Sequence, residues 1–289
     1  MPKSRKWQSQ KKKTSRAGIA IAAIVIIAAI GGVAYLITQS NSGNGILAQE
    51  EAMVGQPIPS SLYNTISSVS ISTISGMSTK GVAALSILPS GTPLLTYNGK
   101  PEVLYIGAEY CPFCAAERWG MVVALSKFGN FSNLSYMLSS PTDPAGSNVP
   151  TFTFYGSNYT SQYISFIPIE ETNRYQNVTL QTPTPEQQNL MYTYDPNGNI
   201  PFIDIANRYI LVGAQFSPSL FQGLNWTQIA SQLDNPDSSV AKAVDASANT
   251  IITAICSVDG GNPATVCSSF SYSPASFQPV TGVRDEKSF

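Results

Sequence analysis

Two cysteines stand three residues apart in Cys111-Pro112-Phe113-Cys114, between the apolar run Val103-Leu104-Tyr105-Ile106 and the helix-prone segment Ala115-Ala116-Glu117-Arg118-Trp119. That order reads as strand, turn, dithiol, helix. Cysteines so spaced at a helix start share one face and can close a disulfide, and the free backbone N–H groups there favour a thiolate. The chemistry this suits is thiol–disulfide exchange, with Cys111 attacking and Cys114 resolving. A buried structural pair, or half of a zinc site, is the plainer alternative.

Only two other cysteines exist in the 289 residues, Cys256 and Cys267, flanking Asp259-Gly260-Gly261-Asn262-Pro263. That turn can fold the chain back against the preceding helix end, so the preferred reading is a structural disulfide closing a short loop. A second redox pair relaying electrons is the other reading. As a zinc site the four cysteines lack paired-knuckle spacing, and the chain has no histidine, so no metal is expected. The lack of histidine also excludes a serine triad in its usual form. No phosphate-cradling glycine loop is present, and no cofactor is implied. Glu170-Glu171 reads as a solvated loop rather than a catalytic carboxylate pair.

The elements around the dithiol indicate where it works. Residues 17–37, AGIAIAAIVIIAAIGGVAYLI, are uncharged, and as a helix they would be roughly 31 Å long, enough for a transmembrane span. Residues 1–16 carry seven basic side chains and no acidic one, which keeps them cytoplasmic and places the body outside the cell. The remainder holds nine basic residues against all 17 acidic ones, a formal charge of −8. A cleaved signal peptide shares the basic-then-apolar order, but the apolar run exceeds a usual h-region and lacks a convincing cleavage site. Topology accounts for the basic run, and nucleic acid is not an expected partner. Five N-x-[ST] sequons, at Asn130, Asn133, Asn158, Asn177 and Asn225, fit an exported domain.

Residues 38–54 have linker composition, and 55–270 form one domain followed by a loose tail, 271–289. A helix is expected near 59–68. A strand pair around Asn98-Gly99 leads into the dithiol. The dithiol helix should run to about Phe128, with Trp119, Val122, Val123 and Leu125 near its buried side, and Leu134–Leu138 reads as a strand. Residues 139–199 read as a long insertion with one helix near 185–192. Residues 200–205 and 208–213 form an antiparallel hairpin, and a helix runs from about Asp237 to Ile255 with Ser238 at its start.

The strand ending in Ala108-Glu109-Tyr110, the dithiol opening a helix and the later strand beginning at Ile200-Pro201 resemble the thioredoxin superfamily. That resemblance implies an α/β fold, a central mixed sheet with flanking helices. It implies that Pro201 is a cis-proline facing the dithiol and that Ile200 pairs with substrate backbone. The buried Asp that thioredoxins place six positions before the first cysteine is Tyr105 here; Glu109 or water would have to move the proton. This departure favours an oxidase or isomerase over a reductase. The whole layout, with the core Glu109-Tyr110-Cys111-Pro112-Phe113-Cys114-Ala115-Ala116-Glu117-Arg118-Trp119, the Pro201-Phe202-Ile203-Asp204-Ile205 segment and the Cys256–Cys267 pair, also resembles a crenarchaeal family of membrane-anchored thioredoxin-like proteins of unknown function. It implies an archaeal origin and supplies no activity.

The expected function is therefore a membrane-anchored, extracytoplasmic thiol–disulfide oxidoreductase whose partners are the thiols or disulfides of exported proteins and an unidentified recycling partner. The rival is a non-catalytic binding or surface-structural domain in which both cysteine pairs are fixed disulfides.

Overall fold

The computed structural model describes residues 47–89, 91–271 and 276–279. The basic segment 1–16, the expected span 17–37 and most of the linker lie outside the described residues, as do 272–275 and 280–289 of the expected tail. Among the described residues, no helix is long and apolar enough to cross a membrane. The chain divides into two compact units, Met1–Ala52 and Met53–Phe289. Residues 47–53, expected as linker, are helical; the dithiol and the sheet belong to the second unit.

This unit is a mixed α/β structure. Its described elements begin with α1 (Ser60–Ser67), α2 (Ile71–Gly76), β1 (Leu85–Ile87), β2 (Thr96–Tyr97), β3 (Lys100–Gly107) and α3 (Pro112–Leu125). Strands β4 (Gly129–Ser132), β5 (Ser135–Leu138), β6 (Pro150–Thr153), β7 (Asn158–Ser161) and β8 (Ser165–Glu170) follow. Then come α4 (Pro185–Tyr194), β9 (Phe202–Ile205), β10 (Tyr209–Val212), α5 (Trp226–Ala230), α6 (Ser239–Val258), α7 (Ala264–Cys267) and β11 (Phe277–Pro279). The main sheet runs β11-β1-β10-β9-β3-β2, and β8 also pairs with β3. β3 lies parallel to β8 and antiparallel to β9, with Tyr105 opposite Pro168 on one side and Ile203 on the other.

Period-two alternation sorts the sheet's side chains onto two cores. Val103, Tyr105, Ile203, Ile205 and Leu211 face the larger one, shared with α3 and α6. Leu104, Ile106, Phe202 and Ile210 face a smaller one closed by Leu190, Met191 and Tyr194 of α4. The β2–β3 hairpin turns at Asn98 and Gly99, whose φ values of 51° and 74° are the positive angles a type I′ turn requires.

Three expectations are corrected. Residues 139–199 are not an insertion beside the sheet, because β8 within them is a strand of the sheet itself. Pro168 disguises it. A proline interrupts a strand pattern, yet an edge strand needs ladder hydrogen bonds on one side only. The outward N–H of Glu170 is instead satisfied by Gln181 Oε1 at 2.8 Å. The 271–289 tail is not wholly loose, since Phe277–Pro279 pairs parallel with β1 and Phe277 packs on Tyr209 with ring centroids 5.0 Å apart. Finally, α3 ends at Leu125 and is buried nearly all round rather than on one side, because α6, β6 and the sheet enclose it. Trp119 Nε1 donates to Pro150 O at 2.8 Å and Thr151 Oγ1 to Ala115 O at 2.8 Å, fixing β6 to α3. Close approach of α6 depends on Gly120, where a Cβ would fall 2.3 Å from Ser247 Oγ.

Candidate functional site

The dithiol sits where β3 hands over to α3. Cys111 is the N-cap of α3 and Pro112 its first residue, a position where proline costs no hydrogen bond. Cys111 Sγ accepts the Cys114 backbone N–H at 3.2 Å and its thiol donates to Ile200 O at 3.6 Å. The Ile200–Pro201 peptide is cis. Four residues singled out in the sequence thus meet in one place, although 86 positions separate Cys114 from Ile200. Both thiols are free; Cys111 is 4 % exposed and Cys114 fully enclosed, while Phe113 between them is 41 % exposed.

The two thiols differ in acidity. The Cys111 pKa is lowered, first by the hydrogen bond from the Cys114 side chain and then, against the opposing effect of burial, by the N–H groups of Cys114 and Phe113 and the charge of Arg118. Burial pushes Cys114 well up, and the neighbouring Cys111 adds to it. Of the two, Cys111 at the positive end of α3 is the thiol that ionises more readily.

Beneath the dithiol are groups that sequence reasoning missed. Arg118, one helical turn after Cys114, is fully buried and forms a two-pronged ion pair with Glu170, Nε to Oε1 at 2.9 Å and Nη2 to Oε2 at 2.6 Å. Nη2 also donates to Ala108 O at 2.8 Å. The solvated-loop reading is thus wrong for Glu170, which ends β8 with no exposed surface. The available signal was a basic residue at i+4 from Cys114, on the helix face that carries that thiol. Tyr105, six positions before Cys111, packs edge-on against Phe154 at 5.2 Å, with the Arg118 guanidinium 5.8 Å from its ring centre.

Glu109 lies in the same region. Its Oε1 accepts from Thr153 Oγ1 at 2.7 Å, and burial raises its pKa against that hydrogen bond, with Glu170 and Arg118 also acting on it. Beside Tyr110 opens a cleft of about 360 Å³, lined by Glu171, Thr172, Gln176, Gln181 and Gln188 among others.

A family model described as "Domain of unknown function (DUF929)" matches residues 90–257, more than half of the chain and the whole of this site. The chain belongs to that family. No curated protein and no solved structure matches it. The family's matched span takes in the dithiol, Arg118, Glu170 and Ile200–Pro201, and it stops between the two members of the second cysteine pair.

That second pair is separate from the first. Cys256 and Cys267 are disulfide-bonded with Cα atoms 5.5 Å apart, joining the end of α6 to α7. Gly261 N–H returns to Cys256 O at 2.9 Å, closing the turn. Among the described residues, no group of three or more His, Cys, Asp or Glu side chains is arranged to hold a metal ion.

Proposed function

We propose that this chain is a membrane-anchored, extracytoplasmic thiol–disulfide oxidoreductase built on a thioredoxin-like domain. The observation that carries the reading is the Cys111 sulfur, held at the start of α3 by the Cys114 N–H and set against the Ile200 carbonyl. Support for the thioredoxin-like fold comes from the β3–α3–β8 unit with parallel strands, followed by the β9–β10 hairpin antiparallel to β3 and then α6 against α3. Support for the anchor comes from the basic segment 1–16 and the uncharged stretch 17–37.

The reaction follows from the acidities. The Cys111 thiolate attacks one sulfur of a substrate disulfide; a mixed disulfide forms and the other substrate sulfur leaves as thiolate. Cys114, which burial keeps protonated, loses its proton and attacks Cys111 Sγ, forming the Cys111–Cys114 disulfide and releasing the second substrate thiolate. The substrate gains two electrons and the dithiol loses two. Run backwards, the same steps oxidise two substrate thiols. With Tyr105 in place of a buried carboxylate, net oxidation or isomerisation of exported proteins is the favoured direction. The cleft beside Tyr110, the exposed Phe113 and the half-buried Ile200 supply a surface for an extended polypeptide.

Trapping tests this. A Cys114→Ser variant of the full chain should accumulate mixed disulfides with exported proteins through Cys111. If it traps nothing while Cys111 stays reactive to a small alkylating reagent, both cysteine pairs belong to a binding or structural domain.

A further inference from the structure

Arg118 has more hydrogen-bonding capacity than its partners use. Nε and Nη2 are committed to Glu170 and to the Ala108 carbonyl, while Nη1 is fully buried with no hydrogen-bond partner among the described residues. A buried charged donor left unpaired is costly, and native structures retain such groups where a further partner arrives during function. Here the neighbour is the dithiol. Arg118 stands four residues after Cys114 on α3, hence on the same helix face. Ala108 links the two: its carbonyl accepts from Arg118 Nη2 and also from the Cys111 N–H at 3.3 Å.

We propose that Arg118 is a positioning residue that stabilises the thiolates formed at Cys111 and Cys114, and that Glu170 sets how much of the guanidinium's charge the sulfurs feel. The inference rests on the dithiol reading above and names the electrostatic control of that same site. Arg118 makes ionisation of both thiols easier. The other titratable groups around them are Tyr105 on β3, Glu109 and Tyr110 in the turn, and Glu170, with Glu171 and Asp143 beyond Tyr110. Arg118 is the cation that acts on both sulfurs, while Arg174, buried beyond Glu109, bonds that carboxylate through its backbone N–H. Arg118 is needed most when Cys114, fully enclosed, must ionise to resolve the mixed disulfide, a step with no other charge to offset burial.

The two members of the ion pair should then act with opposite sign. In the reduced full-length protein, the pH midpoint of Cys111 alkylation by iodoacetamide is followed, with the labelled site located by mass spectrometry. Glu170→Gln should move the midpoint down. The double variant Arg118→Met/Glu170→Met, which replaces a buried pair by apolar groups and leaves no orphaned charge, should move it up by about one pH unit, or about tenfold less thiolate below the midpoint. Arg118→Lys, which keeps the charge and loses the fork, should follow the native protein.

A purely structural ion pair gives a different pattern: all three variants change the melting temperature and none changes the midpoint. That result, or Glu170→Gln moving the midpoint up, overturns the proposal. If the double variant does not fold, Glu170→Gln decides alone. Exchange with a disulfide-bonded reference peptide is measured in parallel on the native protein. Opposite midpoint shifts without exchange uphold the role of Arg118 and sink the oxidoreductase reading, whereas exchange with unmoved midpoints does the reverse.

Discussion

The molecule carries two cysteine pairs in contrasting settings. Cys111 and Cys114 occupy a strand-to-helix turn, with helix N–H groups and Arg118 favouring negative charge and the Ile200 carbonyl, from the bend that leads into β9, against the first sulfur. Cys256 and Cys267 tie a helix end to a four-residue helix across a short turn, and neither sits at the positive end of a long helix. On the proposed function the same side chain has two uses, and the backbone it is mounted on decides between them. Where unsatisfied N–H groups converge, sulfur is held ready to ionise. Where two elements only need joining, it is tied in a disulfide.

Breaking the comparison from the reactive side gives the largest effect. Cys111→Ser should reduce exchange with a disulfide-bonded reference peptide to the uncatalysed background, leaving thermal stability close to native. Retained turnover in that variant would show that the chemistry lies elsewhere. From the structural side, Cys256→Ala/Cys267→Ala should lose about 3 kcal/mol through the freed unfolded chain, or roughly 6–12 °C in Tm. Its exchange rate, assayed well below the new midpoint, should be unchanged. Full stability with lost turnover would instead make the second pair an electron relay.

A pH series sharpens the contrast by separating stability from reactivity. Burial pushes Glu117 and Asp204 to about 7 and Asp245 to about 8. Their pKa values are higher folded than unfolded, so between about pH 4 and 8 the native state holds more protons and stability falls as pH rises. Their contribution is complete below the ordinary carboxylate range and is lost as pH climbs through 7 to 8. Melting curves from pH 4 to 8 should show this decline. Glu117→Gln should flatten its share while leaving Cys111 reactive, because Glu117 is bound by Gln215 N–H at 2.8 Å and Ser247 Oγ at 3.1 Å. A Tm that rises across the range would contradict the assignment. The smallest effect is at Ser238, whose Oγ accepts the Ala241 N–H at 2.9 Å at the start of the helix that carries Cys256. Ser238→Ala should cost about 1 kcal/mol in denaturant unfolding with no change at the dithiol.

The elements nearest the dithiol were legible because their signals are local. A buried strand, a turn and a cysteine N-cap follow one another within 15 residues, and both hairpins announce themselves by positive-φ residues. The Ile200–Pro201 approach to Cys111 was legible only through the superfamily resemblance. Strand β8 was not legible, since Pro168 breaks its pattern and its edge position is a property of the assembled sheet. The Arg118–Glu170 pair was missed for a related reason: its members lie 52 residues apart, and a charged residue inside a helix reads as surface until its partner is placed. Strand β11 is three residues long and is defined by β1, nearly two hundred positions earlier.

One titration tests the contrast between the two pairs most directly. The full-length protein is equilibrated across glutathione buffers of graded potential, and each cysteine pair is scored by mass spectrometry. Cys111–Cys114 should interconvert between about −120 and −270 mV, the span of known exchange catalysts, while Cys256–Cys267 stays oxidised below about −300 mV. If the first pair instead resists reduction together with the second, the dithiol is a structural bond and the proposed chemistry does not take place.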